Sequence, residues 1–157
     1  TLAVAIGLAF SANSWAADDT ATQTVGYEVQ EIALIEVSGS PGALTITAAE
    51  PGAAPTPVSD NSTTYDVTNN AGTDSKMITA AINSDMPTGV TLEVELVAPT
   101  GATATKQALS SNPANVVTGI DNVSETAKTI TYTLSATAAA GKVDSANKTV
   151  TFTITNS

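Results

Sequence analysis

Residues 90–96 read VTLEVEL, and this stretch decides the fold class because apolar and polar side chains alternate strictly along it. The apolar positions are Val90, Leu92, Val94 and Leu96. Side chains two residues apart lie on the same face of a β-strand, whereas a helix would need apolar residues every three or four positions. We therefore predict a half-buried strand, with Glu93 and Glu95 on its solvated outer face and not in a catalytic pair.

The same period of two recurs on both sides of this stretch, in short segments separated by turn-rich connections. It is found around residues 25–29, 32–37, 65–67, 77–82, 130–136 and 150–154, and in a short strand at 44–46. Strands at this spacing are typical of a two-sheet sandwich. The sequence predicts an all-β fold, a Greek-key, immunoglobulin-like β-sandwich of about seven to eight strands with an extended N-terminal strand.

Three connections carry more specific expectations. Residues 48–62 contain three Pro and no apolar period, which predicts a surface loop. Residues 98–127 are the least regular part, with one helical or 3₁₀ turn expected at 115–120. The strands at 130–136 and 150–154 are expected to close the chain as a hairpin.

The composition excludes most function classes. The 157 residues carry a formal charge of -10 and a pI of about 4.1, with five Lys, no Arg, no His and no Cys. Nucleic-acid binding depends mainly on Lys and Arg, so no nucleic-acid partner is expected. Without His or Cys the chain cannot build a Ser/His/Asp or Cys/His site, or an ordinary zinc, iron–sulfur or haem site. We expect no enzyme activity and no cofactor.

The composition does not exclude a metal site built from oxygen ligands alone, and calcium is the ion that such ligands would hold. Candidate loops pair Asp60 with Asn61, Asp66 with Asn69, and Asp121 with Asn122 and Glu125. None has the ligand spacing of an EF-hand. Structural calcium is therefore possible but unsupported, and we predict no metal site.

The sequence bears on two covalent modifications, glycosylation and an isopeptide bond. Sequons begin at Asn61, Asn122 and Asn147, all in predicted loops or at strand ends, which makes them possible glycosylation sites. An isopeptide bond to Asn156 on the last strand would need a Lys on an early strand. The first strands contain none and the nearest, Lys76, lies in the middle of the domain. The lysines are therefore expected to be ordinary solvated side chains.

The N-terminal residues 1–16, TLAVAIGLAFSANSWA, resemble the end of a secretory signal peptide. Cleavage after Ala16 would leave Ala17 as the first mature residue, and the apolar run is too short to span a bilayer. The alternative is that this segment is retained as a strand, because large apolar side chains alternate along it with Ala and Gly. These side chains are Leu2, Val4, Ile6, Leu8 and Phe10.

Residues 17–37 form a polar start followed by an unusually long alternating strand, and residues 38–157 form the sandwich domain. Sixteen extended residues from Thr22 to Val37 would reach roughly 50 Å at about 3.3 Å per residue, which is more than one sheet edge uses. The phase of the alternation shifts near Gln30 and Glu31. Either this strand bends between the two sheets of its own domain, or its first part pairs with a neighbouring subunit.

If the first part is donated to a neighbour, the inserted side chains are Val25, Tyr27, Val29, Ile32 and Leu34. Leu2 to Phe10 is the alternative donor. A core with few aromatic residues and no disulfide is consistent with stability supplied from outside the single chain.

The whole layout resembles subunits of bacterial extracellular filaments assembled by donor-strand complementation, of which chaperone–usher pilins are the best-known case. The resemblance rests on a secretion-like leader, a polar start (ADDTATQT), an alternating N-terminal strand (VGYEV) and an amphipathic last strand (KTVTFTIT). Many such pilins also carry a Cys pair, which this chain lacks. The resemblance implies an incomplete sandwich that receives the N-terminal strand of the next subunit.

The expected function is therefore a secreted structural protein at the bacterial cell surface, which polymerises head to tail into a filament. Its partners would be copies of itself and a periplasmic chaperone or outer-membrane assembly machinery, with no membrane association in the mature form. The alternative is a monomeric surface or adhesin module that binds a glycan or protein through its loops.

Overall fold

The computed structural model describes residues 20–157, so the predicted leader and the alternative donor, Leu2 to Phe10, lie outside the described residues. The described residues form nine strands and one 3₁₀ turn, Ala138–Ala140. The strands are β1 (Ala33–Ser38), β2 (Val58–Asn69), β3 (Lys76–Ile82), β4 (Val90–Leu96), β5 (Thr103–Ala104), β6 (Gln107–Ala108), β7 (Ala114–Ile120), β8 (Val123–Ala136) and β9 (Val150–Asn156).

The strands form two sheets in which every pair is antiparallel, and this confirms the predicted all-β, sandwich-like fold. One sheet has the order β1-β2-β8-β4-β6 and the other the order β5-β7-β3-β9. Among the described residues, no helix is long and apolar enough to cross a membrane.

The core lies between the two sheets and is filled by the alternating positions of their central strands. Leu92, Val94 and Leu96 of β4 are buried, as their period predicts, and Glu95 is exposed. The side chains with no exposed surface are Tyr65, Ile78, Val94, Val116, Val117, Ile120 and Ile130. Burial of such side chains is the main source of the free energy of folding.

The predicted closing hairpin is wrong, because β8 and β9 belong to different sheets. β8 pairs with β2 and β4, whereas β9 pairs with β3, so that Ile78 lies opposite Ile154. The connection between β8 and β9, which contains the 3₁₀ turn, crosses from one sheet to the other. Alternation shows which face of a strand is buried, but it does not identify the neighbouring strand.

Three local predictions are also wrong. Residues 44–46 form no strand, although Leu44 packs against the core. The loop expected at 48–62 ends early, because β2 begins at Val58. Residues 114–120 form a strand instead of a helical turn. In this strand Val116 and Val117 are adjacent and both buried, and the register against β3 shifts there, which hides the period of two.

Candidate functional site

Strand β9 forms an unprotected edge of its sheet. In the part of the chain that the structure describes, β9 pairs with β3 only, and its register runs without a shift from Val150 to Asn156. Its sequence, VTFTITN, contains no charged residue and no Pro. Sheet edges of monomeric proteins are normally protected by charges, Pro, bulges or short length. The edges at β5 and β6 are two residues long, so β9 differs from them.

The inner face of β9 is only partly covered. Val150, Phe152 and Ile154 pack against the core cluster but remain partly exposed, whereas Ile78, opposite Ile154, has no exposed surface. β1, the edge strand of the other sheet, contacts β9 on this side of the sandwich. We call this side, formed by β1 and β9, the open seam.

The segment that follows β1 does not complete either sheet. Leu44 packs against the core from this segment, yet residues 39–47 form no backbone–backbone hydrogen bond in the described structure. The peptide groups along the outer edge of β9 therefore have no partner strand among the described residues. An added strand could form hydrogen bonds with them.

The N-terminal segment, residues 20–30, lies outside every strand and is exposed throughout. The long strand predicted from Thr22 to Val37 is therefore wrong for the single chain, in which only the part from Ala33 onward, β1, forms a paired strand. The exposed fractions are 75% for Val25, 96% for Tyr27 and 80% for Val29. Side chains of this size are usually at least partly buried, and three in alternation form an apolar stripe. Of the two other residues that the sequence proposed for donation, Ile32 immediately precedes β1 and Leu34 lies in β1, opposite Thr68 of the same chain.

The end of the N-terminal segment that joins the sandwich, residues 30–32, is held by Asn70; we call it the root of the segment. The side-chain amide of Asn70 donates to the carbonyl of Gln30 (3.0 Å), and its Oδ1 accepts from the backbone N–H of Ile32 (2.5 Å). The Asn70 backbone N–H donates to the Ile32 carbonyl (3.0 Å). These bonds fix the chain on both sides of Glu31, so the segment leaves the sandwich from a defined point.

Glu31 forms an ion pair with Lys76, the first residue of β3. Lys76 is only 4% exposed, so the expectation that the lysines are ordinary solvated side chains is wrong for this one. Its Nζ also donates to Oδ1 of Asn156, at 2.5 Å. Sequence reasoning named Lys76 and Asn156 but expected no contact between them, and it did not predict the part of Glu31. Lys76 shares the parity of Ile78, Ala80 and Ile82, which predicts an inward-facing side chain.

The acidic residues singled out in the sequence are distributed over the surface. Glu93 pairs with Lys106 at 2.8 Å on the outer face of β4, and Glu95 is exposed. Among the described residues, no group of three Asp or Glu side chains is placed to hold a metal ion. Asp60 instead accepts hydrogen bonds from Ser62 and Gly42, which lower its pKa.

Asp66, Asn69 and Glu125 also have structural partners. Asp66 accepts from the backbone N–H of Ala127 at 2.8 Å. Buried Asn69 donates to the carbonyls of Ile120 (2.9 Å) and Asp121 (3.0 Å). Hydrogen bonds from Lys128 and from the backbone N–H of Thr100 lower the pKa of Glu125 to about 2.

The three sequon asparagines, Asn61, Asn122 and Asn147, all lie in exposed positions. Asn61 is in β2, within the register shift between Asp60 and Thr63. Oδ1 of Asn122 accepts a hydrogen bond from the backbone N–H of Gly72 at 3.0 Å. Exposure makes these amides accessible to a modifying enzyme, and their glycosylation stays a prediction.

Comparison with protein-family models, curated proteins and solved structures found no significant match.

Proposed function

We propose that this protein is the structural subunit of a secreted bacterial filament, in which the open seam of one copy receives residues 22–30 of the next. The observation that carries the proposal is the presence, in one chain, of an unprotected seven-residue edge at β9 and an exposed, alternating apolar segment of similar length. β-Augmentation requires both parts, because backbone hydrogen bonds add the strand and alternate side chains fill the core.

The two parts match in chemistry as well as in length. Val25, Tyr27 and Val29 would face the core beside the partly exposed Val150, Phe152 and Ile154. The donor segment and β9 are both almost free of charge, since Glu28 is the only charged residue in residues 22–30 and β9 has none. Insertion would therefore bury apolar surface without burying several charges, which stabilises the joined pair.

The donor segment belongs to a different copy because of where its root lies. Residues 30–32 are held by Asn70 and Lys76 near the last residue of β9, Asn156. To lie along its own β9, the chain would have to reverse direction immediately before this anchored root. Donation to the next copy needs no such turn and uses different surfaces on the two subunits. Contacts of this kind form open helical polymers.

The net charge of -10 fits a filament, since like charge keeps neighbouring polymers apart. An exposed uncharged edge is also prone to wrong pairing before assembly. A periplasmic chaperone or outer-membrane assembly machinery that covers the seam is therefore part of the proposal.

The donor side is tested by replacing the apolar stripe. A variant with Val25→Ser, Tyr27→Ser and Val29→Ser should remain folded and be secreted, but form no filaments by electron microscopy. A control with Thr24→Ser and Glu28→Gln changes the opposite face of the same segment and should polymerise normally. Deletion of residues 17–30 should also abolish polymer, and undiminished polymer would contradict the proposed role of this segment.

The acceptor side is tested by adding the missing strand. A synthetic peptide of residues 22–30, added to the serine variant, should bind and raise its melting temperature. The same peptide with serine at positions 25, 27 and 29 should do neither. Equal effects of the two peptides, or no binding by either, would contradict an open acceptor seam.

A further inference from the structure

We propose that Lys76 and Asn156 become joined by an intramolecular isopeptide bond, with the Glu31 carboxylate as the proton carrier. An amine, a carboxamide and a carboxylate meet at one point of the described structure. This inference concerns the single subunit and does not depend on filament assembly.

The three residues are brought together by the fold. Lys76 and Asn156 are direct partners in the register of β3 and β9. The Lys76 side chain faces inward, and its Nζ lies 2.5 Å from Oδ1 of Asn156. The carbon that would be attacked is bonded directly to this oxygen. Glu31 reaches the same Nζ from the segment that precedes β1, in the other sheet. Such proximity converts a slow bimolecular aminolysis into an intramolecular step.

Burial separates Lys76 from the other lysines. All five lysines lie within the described residues, and Lys76 alone is buried. A buried ammonium is costly to desolvate, and its neutral amine is a good nucleophile. Conversion of the Lys76 amine to an amide removes this charge from the interior. The same conversion at Lys106, which pairs with Glu93 at the surface, would gain nothing of this kind, because its charge is already solvated.

The reaction balances without any other reactant. The Lys76 ammonium transfers a proton to the Glu31 carboxylate, and the neutral Nζ attacks the side-chain carbonyl carbon of Asn156. The Glu31 carboxyl then protonates the leaving amide nitrogen. The bond from carbon to this nitrogen breaks and ammonia is released. Glu31 then takes one of the two protons left on Nζ, so that the new amide keeps one N–H, and passes it to the ammonia, which leaves as ammonium. One C–N bond forms, one breaks, and nothing is oxidised or reduced. A surface depression lined by Ser75, Asn156 and Ser157 gives the ammonia a path to solvent.

The bond would fix the C-terminal end of β9, at Asn156. β9 is the last strand and an edge strand of the seam, so it has partners on one side only among the described residues. A covalent link from its end to β3 would close a loop of 80 residues and would keep β9 from peeling away.

The test is the intact mass of the folded chain. We expect the purified protein to be lighter than its sequence mass by one ammonia. A tryptic digest should contain a branched peptide that joins Lys76 to Asn156, which distinguishes the bond from ammonia loss at another asparagine. Lys76→Met and Asn156→Ala should each restore the sequence mass.

Glu31→Gln tests the proton carrier, and Glu93→Gln is its matched control on a surface ion pair. Each variant is compared with its own sequence mass, after circular dichroism has shown a folded sheet. Glu31→Gln should lose the ammonia deficit and Glu93→Gln should keep it. A full sequence mass for the unsubstituted protein would overturn the bond, and an unchanged deficit in Glu31→Gln would overturn the role of Glu31.

Discussion

Strand β8 lies between β2 and β4, whereas β9 has a neighbour on one side only among the described residues. The two strands have similar Thr-rich alternating sequences, ITYTL and VTFTI. In β8 the inward side chains Ile130 and Tyr132 are buried, while in β9 Phe152 and Ile154 are partly exposed. Similar sequences therefore have different burial because of their positions in the sheets.

This difference shows that the sandwich is covered around β8, which we call the closed side, and partly exposed along the open seam at β9. A strand of β9's composition is suited to a position with a neighbour on each side, where its inner face would be fully covered. In the proposed filament, residues 22–30 of another copy supply the second neighbour of β9. Substitutions on the closed side and at the open seam measure how far the two differ.

We expect the largest difference in stability between substitutions at Ile78 and at Ile154, which lie opposite each other on β3 and β9. Ile78→Ala removes a side chain with no exposed surface and should lower the free energy of unfolding by about 2–5 kcal/mol. Ile154→Ala should cost clearly less in the monomer, because its surroundings are partly solvent. Urea unfolding of both variants measures the difference. Equal losses would mean that the seam is as closed as the core.

Asn69 tests the closed side through a buried polar group. Its side-chain amide donates to two carbonyls, of Ile120 and Asp121, and Asn69→Ala would remove both of these hydrogen bonds. We expect a loss of about 2 kcal/mol in urea unfolding. Asn115→Ala, at an exposed position of β7, should stay within about 0.5 kcal/mol of the unsubstituted protein. Matching losses for the two variants would refute this role of Asn69.

Tyr65 gives a smaller effect on the same side. Its hydroxyl donates to the carbonyl of Val97 at 2.7 Å, and Tyr65→Phe removes this bond while keeping the ring. The expected cost is about 1 kcal/mol, measured by thermal or urea unfolding. Tyr132→Phe, whose ring is also buried, is the control and should cost less, because no protein hydrogen bond of its hydroxyl is found among the described residues. A larger cost for Tyr132→Phe would contradict this assignment.

The smallest effect is the pH dependence that Glu125 confers. Its pKa is lowered to about 2 by hydrogen bonds from Lys128 and Thr100, from an ordinary value of 4.5. Between these two values the unfolded chain binds a proton that the folded chain does not. This contribution to stability is therefore present above about pH 4.5 and is lost as the pH falls toward 2.

Unfolding of Glu125→Gln across this pH range should show a shallower decline in stability than the unsubstituted protein. Lys128→Met should flatten the same part of the curve, because it removes the hydrogen bond that lowers the pKa of Glu125 most. If both variants decline as steeply as the original chain, Glu125 does not carry this dependence.

The sequence predicted the class of fold and the faces of most strands, because alternation reports burial directly. It did not predict the partner of β9, since β8 and β9 both alternate and only the crossing between sheets separates them. β7 was missed because a register shift places Val116 and Val117 side by side in the core. The exposed stripe of Val25, Tyr27 and Val29 was visible in the sequence. Lys76 and Asn156 were also named in the sequence but were not expected to meet, because only tertiary folding brings them together with Glu31.

Whether another copy completes the open seam can be seen by electron cryo-microscopy of the native secreted material. We predict regular filaments in which Val25, Tyr27 and Val29 of one subunit lie beside β9 of the next and cover Phe152 and Ile154. Dispersed monomers, or filaments in which the outer edge of β9 stays unpaired, would show that no second copy completes the seam.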